Sequence, residues 1–244
     1  MPSTSETGHA KNIANFQDLI AFVTEHGATY NPSKAALKLV NLQAKVDAEN
    51  AKLTTVVDKT TAYNNAVNER FLAFDSLKGL STRLVNSLKT TDATDQTMAD
   101  AKGFNRKIQG KKASGVVPDP TVPTTPVPKT ISASQQSYDQ LAQHLSGLVS
   151  VLQAETSYTP NEADLKVTTL KAKVTDMIKK NNQVGTQYAA ISNARIARDK
   201  GLYTDKTGLV PIALEVKDYI KSVFGATSPE YKQVSGIKFK LQKA

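Results

Sequence analysis

The chain has 244 residues, with 31 Lys and Arg against 22 Asp and Glu, and it contains neither Cys nor Trp. That length allows one or two domains with proper cores, and a hydrophobic share of 39% excludes collagen-like and fully disordered classes. Without Cys there is no disulfide framework, Cys-ligated zinc, Fe–S cluster or Cys nucleophile. No run approaches the ~18 apolar residues of a membrane-spanning helix. The polar stretch from Met1 to Asn12 lacks the apolar centre of a secretory signal. A cytoplasmic protein is expected, though signal-independent export would leave no trace.

Residues 11–26 read as a helix stopped by Gly27. Tyr30-Asn31-Pro32 then forms a turn, and Ser33 is a candidate cap. Residues 33–78 hold neither Gly nor Pro, and their apolar residues follow a heptad. One seam position reads Leu39, Val46, Leu53, Thr60, Val67, Phe74, Ser81 and Leu88; the other reads Leu42, Glu49, Val56, Tyr63, Arg70, Leu77 and Leu84. A period of 3.5 held this long predicts helices packed side by side at shallow angles. A continuous helix over 33–90, on the order of 70–85 Å at 1.5 Å per residue, is favoured over a hairpin at Asp58-Lys59-Thr60-Thr61, because a turn need not keep the phase.

Five prolines between Pro118 and Pro128 exclude helix and central strand there and predict an extended spacer. A helix over 133–155 follows. The next stripe reads Val167, Leu170, Val174, Met177, Val184, Tyr188, Ile191 and Leu202, with polar Asn181, Arg195 and Arg198 in it. Residues 209–224 form a helix ending at Gly225, and Ser228-Pro229-Glu230 starts another with Pro at its first position. Ile237 to Gln242 alternates with period two, a strand signature.

The strongest signal is internal. Tyr30–Val46 aligns without a gap on Tyr158–Val174 with nine identities, at an offset of 128. Upstream, residues 19–23 match 148–152 after a one-residue gap. Gly103, Lys107 and Gln109 match Gly236, Lys240 and Gln242 at offset 133, so the second copy holds about five extra residues, placed in the loop-like stretch Gly201–Gly208. The expected fold is all-α, with helical repeat units at 1–110 and 132–244, a Pro-rich linker at 111–131, and one core shared by both repeats as in a fused isologous dimer. The strand-like tails 104–109 and 237–242 are expected to pair as a two-stranded ribbon, since a lone strand leaves its backbone unsatisfied.

Chemistry is sparse. His9, His26 and His144 have no second His three or four residues away, so no metal-ligand spacing exists. There is no phosphate-binding glycine loop, nucleophile elbow or dinucleotide fingerprint. No enzymatic activity, cofactor or metal is expected. Arg70 and Arg198 share a seam position in the two copies, and Arg195 falls on the other seam position. Arginine in an apolar stripe is costly unless paired. It marks an internal ion pair, with Glu49 a candidate partner, a long stem that carries its charge out to water, or a pseudo-symmetric anion site with guanidinium groups meeting at the centre. A second candidate is a polyanion patch of Lys102, Arg106, Lys107, Lys111 and Lys112 with Lys232, Lys238, Lys240 and Lys243, gathered if the tails pair. The same charges also serve as a solvated edge.

Asn193-Ala194-Arg195-Ile196-Ala197-Arg198, and the stretch from Val216 through Ser222-Val223-Phe224-Gly225-Ala226-Thr227-Ser228-Pro229 to Gly236, resemble a family of uncharacterised bacterial proteins with a duplicated helical organisation and a variable central linker. The resemblance covers nearly the whole chain apart from that linker. It implies no activity, cofactor or binding residues. The functional expectation is a structural or interaction protein presenting helical faces to a protein partner. Nucleic-acid or polyanion binding through the basic tails is the second reading, a membrane-active helical protein the third, and a homo-oligomer is compatible with each.

Overall fold

A computed structural model of the chain describes residues 4–110 and 136–241. The predicted spacer, with Lys111 and Lys112, and Lys243 near the end of the chain lie outside the described residues. Every regular element among the described residues is helical, so the all-α expectation holds. The α-helices are α1 (Thr4–Glu25), α2 (Leu39–Asp75), α3 (Leu77–Leu88), α4 (Asp95–Gln109), α5 (Tyr138–Ala154), α6 (Val167–Tyr203), α7 (Leu209–Phe224) and α8 (Pro229–Ser235).

The two long helices, α2 and α6, have 37 residues each. Both follow a 3-10 turn, at Ala35–Leu37 and Ala163–Leu165. The turn must hand its carbonyls to something other than the helix. Tyr30 donates its hydroxyl proton to the carbonyl of Leu37 at 2.7 Å, and Tyr158 does the same to Leu165 at 3.0 Å. These are the residues that open the aligned segments. Burial pushes both hydroxyl pKa values up.

Helix α2 is continuous through Asp58–Thr61, as the unbroken phase predicts. None of the fifteen seam positions from Leu39 to Leu88 is exposed. The helix ends at Asp75 and α3 begins at Leu77, so the predicted span to residue 90 is interrupted at Ser76, whose ψ is 0°. The interruption falls beside Gly79, where the glycine-free run stops. In the second repeat the corresponding junction is a loop over residues 204–208, with Lys206 left-handed at φ 61°. That loop carries the inserted residues.

The compact units cut across the repeats. One consists of Met1–Tyr63 with Gln187–Ala244, the other of Asn64–Thr186. The first takes the start of repeat one and the end of repeat two. Its core joins Phe16, Leu19 and Val23 of α1 to Leu42 and Val46 of α2, Leu202 of α6 and Val216 and Ile220 of α7. The second takes the reverse selection. Its core joins Leu145, Leu148 and Leu152 of α5 to Leu170 and Met177 of α6 and to Leu84 and Leu88 of α3. Two cores, each built from both repeats, replace the single shared core. Within the first unit α2 and α6 run antiparallel, with Tyr63 against Tyr188 (centroids 5.9 Å apart) and Glu49 against Gly201. Within the second, Lys173 Nζ donates to the Ala73 carbonyl at 3.4 Å.

The predicted ribbon is not formed. Residues 104–109 are the last turns of α4, with Ile108 buried and Phe104 half-buried. Gly110 caps the helix in the left-handed region at φ 73°, which a residue with a Cβ adopts only at a cost. Gly147 of α5 lets the Phe104 ring lie against the helix backbone, since a Cβ there would sit 2.3 Å from Phe104 Cε1. Residues 237–241 are extended and keep their alternation, with Ile237 and Phe239 half-buried and Lys238 and Lys240 exposed. Side chains rather than a second strand bond the backbone of Lys240 and the carbonyls of Ile237 and Lys238.

Candidate functional site

The three seam arginines do not form one cluster. Arg70, in the second unit, lies half-buried with its guanidinium 4.1 Å from the centroid of the Tyr138 ring. Its Nη1 donates to Asn181 Oδ1 at 3.3 Å, and Asn181 Nδ2 donates to Asp139 Oδ1 at 2.6 Å. The charge is thus held by a ring face and a relay to a carboxylate. Arg198, in the first unit, is 4% exposed, and its Nε and Nη2 reach Asp199 Oδ1 at 2.9 and 2.8 Å. Arg195 is exposed. Between Ile191 and Arg198 the half-heptad step falls between Ala194 and Arg195; the small Ala194 turns inward and Arg195 stays outside. The internal ion-pair reading fits Arg198, which bonds the Asp199 carboxylate.

Around Arg198 lies a buried polar network that sequence reasoning missed. His9 and Asn12 are each 1% exposed. The Tyr203 hydroxyl accepts from Asn12 Nδ2 at 3.2 Å and stands 2.7 Å from His9 Nδ1. On the other side of the ring, His9 Nε2 lies 3.8 Å from Asp199 Oδ1. Burial pushes the Tyr203 hydroxyl pKa up.

Asn12 also pairs with the backbone of Lys240 in both directions, Nδ2 donating to its carbonyl and its N–H donating to Oδ1, each at 2.9 Å. Asn15 Nδ2 donates to the Lys238 carbonyl at 2.6 Å. Lys217 Nζ donates to the carbonyls of Ser235 (3.2 Å) and Ile237, and desolvation there lowers its pKa. Two asparagines one turn apart on α1 thus serve as a partner strand. The sequence signal was weak: a pair of Asn on a helix face turned inward.

Glu49 is the other buried charge, 1% exposed. Its Oε1 receives Lys52 at 2.8 Å and Lys45 at 3.4 Å, while Oε2 has no hydrogen-bond partner among the described residues. The aligned position in repeat two is Met177, which is fully buried. Both lysines can swing into water when the carboxylate is removed. We expect Glu49→Met to raise stability by about 1 kcal/mol, since an apolar residue replaces an incompletely satisfied buried ion. A urea midpoint below that of the wild type would contradict this.

The basic residues are exposed where described. Lys102, Arg106 and Lys107 lie on α4 in the second unit; Lys232 on α8 and Lys238 and Lys240 on the extended tail belong to the first. Tail pairing, the device expected to gather them, is absent. Arg106 and Lys107 occupy the last turn of α4, where cations suit the helix dipole.

Clefts of about 560 Å³ beside Asp75, Arg83 and Asp164, and about 260 Å³ beside Asp139, Gln143 and Asn181, open in the second unit. In the larger of these two clefts, Arg83 and Asp164 are already paired at 2.5 Å. No group of three His, Asp or Glu among the described residues could hold a metal ion. No described helix is long and apolar enough to cross a membrane. Comparison of the chain with family profiles, with curated proteins and with solved structures finds no match.

Proposed function

We propose that this is a non-catalytic interaction protein that presents helical faces to a protein partner. The observation that carries the reading is Phe71-Leu72 on α2, 58% and 69% exposed. The aligned positions on α6 are Asp199 and Lys200, so the repeat architecture does not call for apolar side chains there. Adjacent large apolar groups in water forgo burial worth ~25 cal/mol per Å², which a partner covering them would recover. We also read the repeats as pseudo-symmetric. Equal long helices, equivalent tyrosine caps and equivalent core residues such as Leu77/Leu209 and Leu84/Val216 support this. Phe71-Leu72 is then a departure from symmetry, as a one-sided binding surface would be.

The test uses the full chain as bait against a lysate of its source cells. The variant F71D/L72K carries charged residues of the kind repeat two holds at these positions. It should keep the wild-type helicity and lose a specifically captured protein by at least about tenfold, the effect of removing a central anchor. Undiminished capture would reject the reading. Polyanion binding is the competing outcome, drawing on exposed Lys238 and Lys240. It would appear as retention on heparin falling steeply and linearly in log salt.

A further inference from the structure

The two units carry equivalent ion pairs of opposite polarity. In the first, Lys34 Nζ beside the 3-10 turn of repeat one meets Glu215 Oε2 of α7 at 2.5 Å. In the second, Arg83 of α3 meets Asp164 in the 3-10 turn of repeat two, at 2.5 and 3.2 Å through both guanidinium nitrogens. Arg83 and Glu215 are aligned, being the seventh residues of α3 and α7. Lys34 aligns with Glu162; the bond to Asp164 raises the Arg83 pKa most, and the charge of Glu162 adds to it. At both aligned positions the two repeats carry opposite charges.

We infer that this reversal is a recognition code by which repeat one pairs with repeat two and refuses a like repeat from a second copy of the chain. If two copies paired their first repeats, Arg83 of each would face Lys34 of the other, with neutral Ala36 where repeat two has Asp164. If they paired their second repeats, Glu215 would face Glu162 and Asp164. Both like pairings set equal charges against each other, and both native contacts set opposite ones. Aligned apolar positions such as Leu77/Leu209 and Leu84/Val216 are filled similarly in the two repeats and discriminate little. Charge adds discrimination to the polar contacts of Asn12, as it does at the flanks of coiled coils. The inference does not depend on what the protein binds.

The code makes an uncommon prediction about charge swaps. K34E/E215K preserves an opposite-charge contact in the first unit but makes both like pairings attractive. R83E/E162K/D164K does the same through the second unit. Reversing all five charges restores repulsion in the like pairings and keeps both native contacts. The full chain is unfolded in urea, refolded by dilution at one concentration in low salt, and sized by light scattering. Each partial swap should raise the ratio of chain-exchanged dimer to wild-type species about tenfold, the combined effect of several exposed charge contacts. The five-charge reversal should return it to the wild-type value, and high salt should erase the differences. Wild-type ratios in both partial swaps would overturn the inference. So would failure of the full reversal to restore the ratio, or a change that persists in high salt. The two partial swaps test the code independently, so loss of folding in one leaves the other decisive.

Discussion

Gly208→Ala will lower stability by about 2–3 kcal/mol, although substituting Gly by Ala at a negative φ ordinarily stabilises by 0.4–1 kcal/mol through the unfolded state. Gly208 has φ −69° and would accept a side chain on backbone grounds alone. Its surroundings decide the sign. A Cβ would lie 2.7 Å from the Leu202 carbonyl oxygen and 2.8 Å from the nitrogen and oxygen of Thr204. These are backbone atoms. They are held by the last turn of α6 and by the Gly208 N–H, which donates to the Thr204 carbonyl at 2.7 Å. Nothing there can step aside as a flexible side chain would. Gly236 is the control: exposed, at φ −71°, with no atom within 4 Å of a built Cβ. Gly236→Ala should be neutral or slightly stabilising. Urea midpoints measured side by side check the contrast, and equal midpoints would refute the packing argument.

Asn12→Leu is the second large effect. Leu is the residue repeat two carries at the aligned position, Leu141, so its shape suits the fold while its chemistry does not suit the tail. The change removes three hydrogen bonds and leaves the Lys240 backbone without its partners. A buried polar group left unsatisfied costs ~1–3 kcal/mol, and the expected loss is about 3 kcal/mol. Amide exchange gives the specific signature. The Lys240 amide should lose its protection while amides at the centre of α7 keep theirs relative to global stability. A Lys240 amide as protected as in the wild type would show that Asn12 does not hold the tail.

What could be read in the sequence was whatever repeats with a period. Helix α7 matches its predicted limits because Gly208 and Gly225 bracket an unbroken apolar stripe. Ser228 caps α8 as predicted, its hydroxyl accepting from the Tyr231 N–H at 3.1 Å. The heptad placed the α2 seam correctly because each seam position is constrained independently. The tail at 237–241 was legible as extended, but its partner was not, because side-chain amides on a helix face have no periodicity. Residues 104–109 were misjudged by analogy with that tail, when Phe104 and Ile108 are spaced as neighbours on a helix. His9 looked like part of a polar leader because α1 was expected to begin at residue 11, whereas it begins at Thr4. Arg70 and Arg198 align in the two copies of the sequence. Their separation into different units follows from the exchange of repeat ends, and local pattern contains no information about that exchange.

That exchange has a consequence for how the polypeptide is made. The unit spanning Asn64–Thr186 is one uninterrupted stretch and can close as soon as α6 begins to leave the ribosome. The other must wait until residues 209–241 have been made, because α1 finds its partners in α7, α8 and the tail. Throughout that interval Phe16, Leu19 and Val23 lack the Leu202, Val216 and Ile220 side chains of their core, and such nascent apolar surface is the kind that chaperones cover. Premature termination between Thr186 and Leu209 would leave one finished half and α1 without the α7 and α8 helices it packs on.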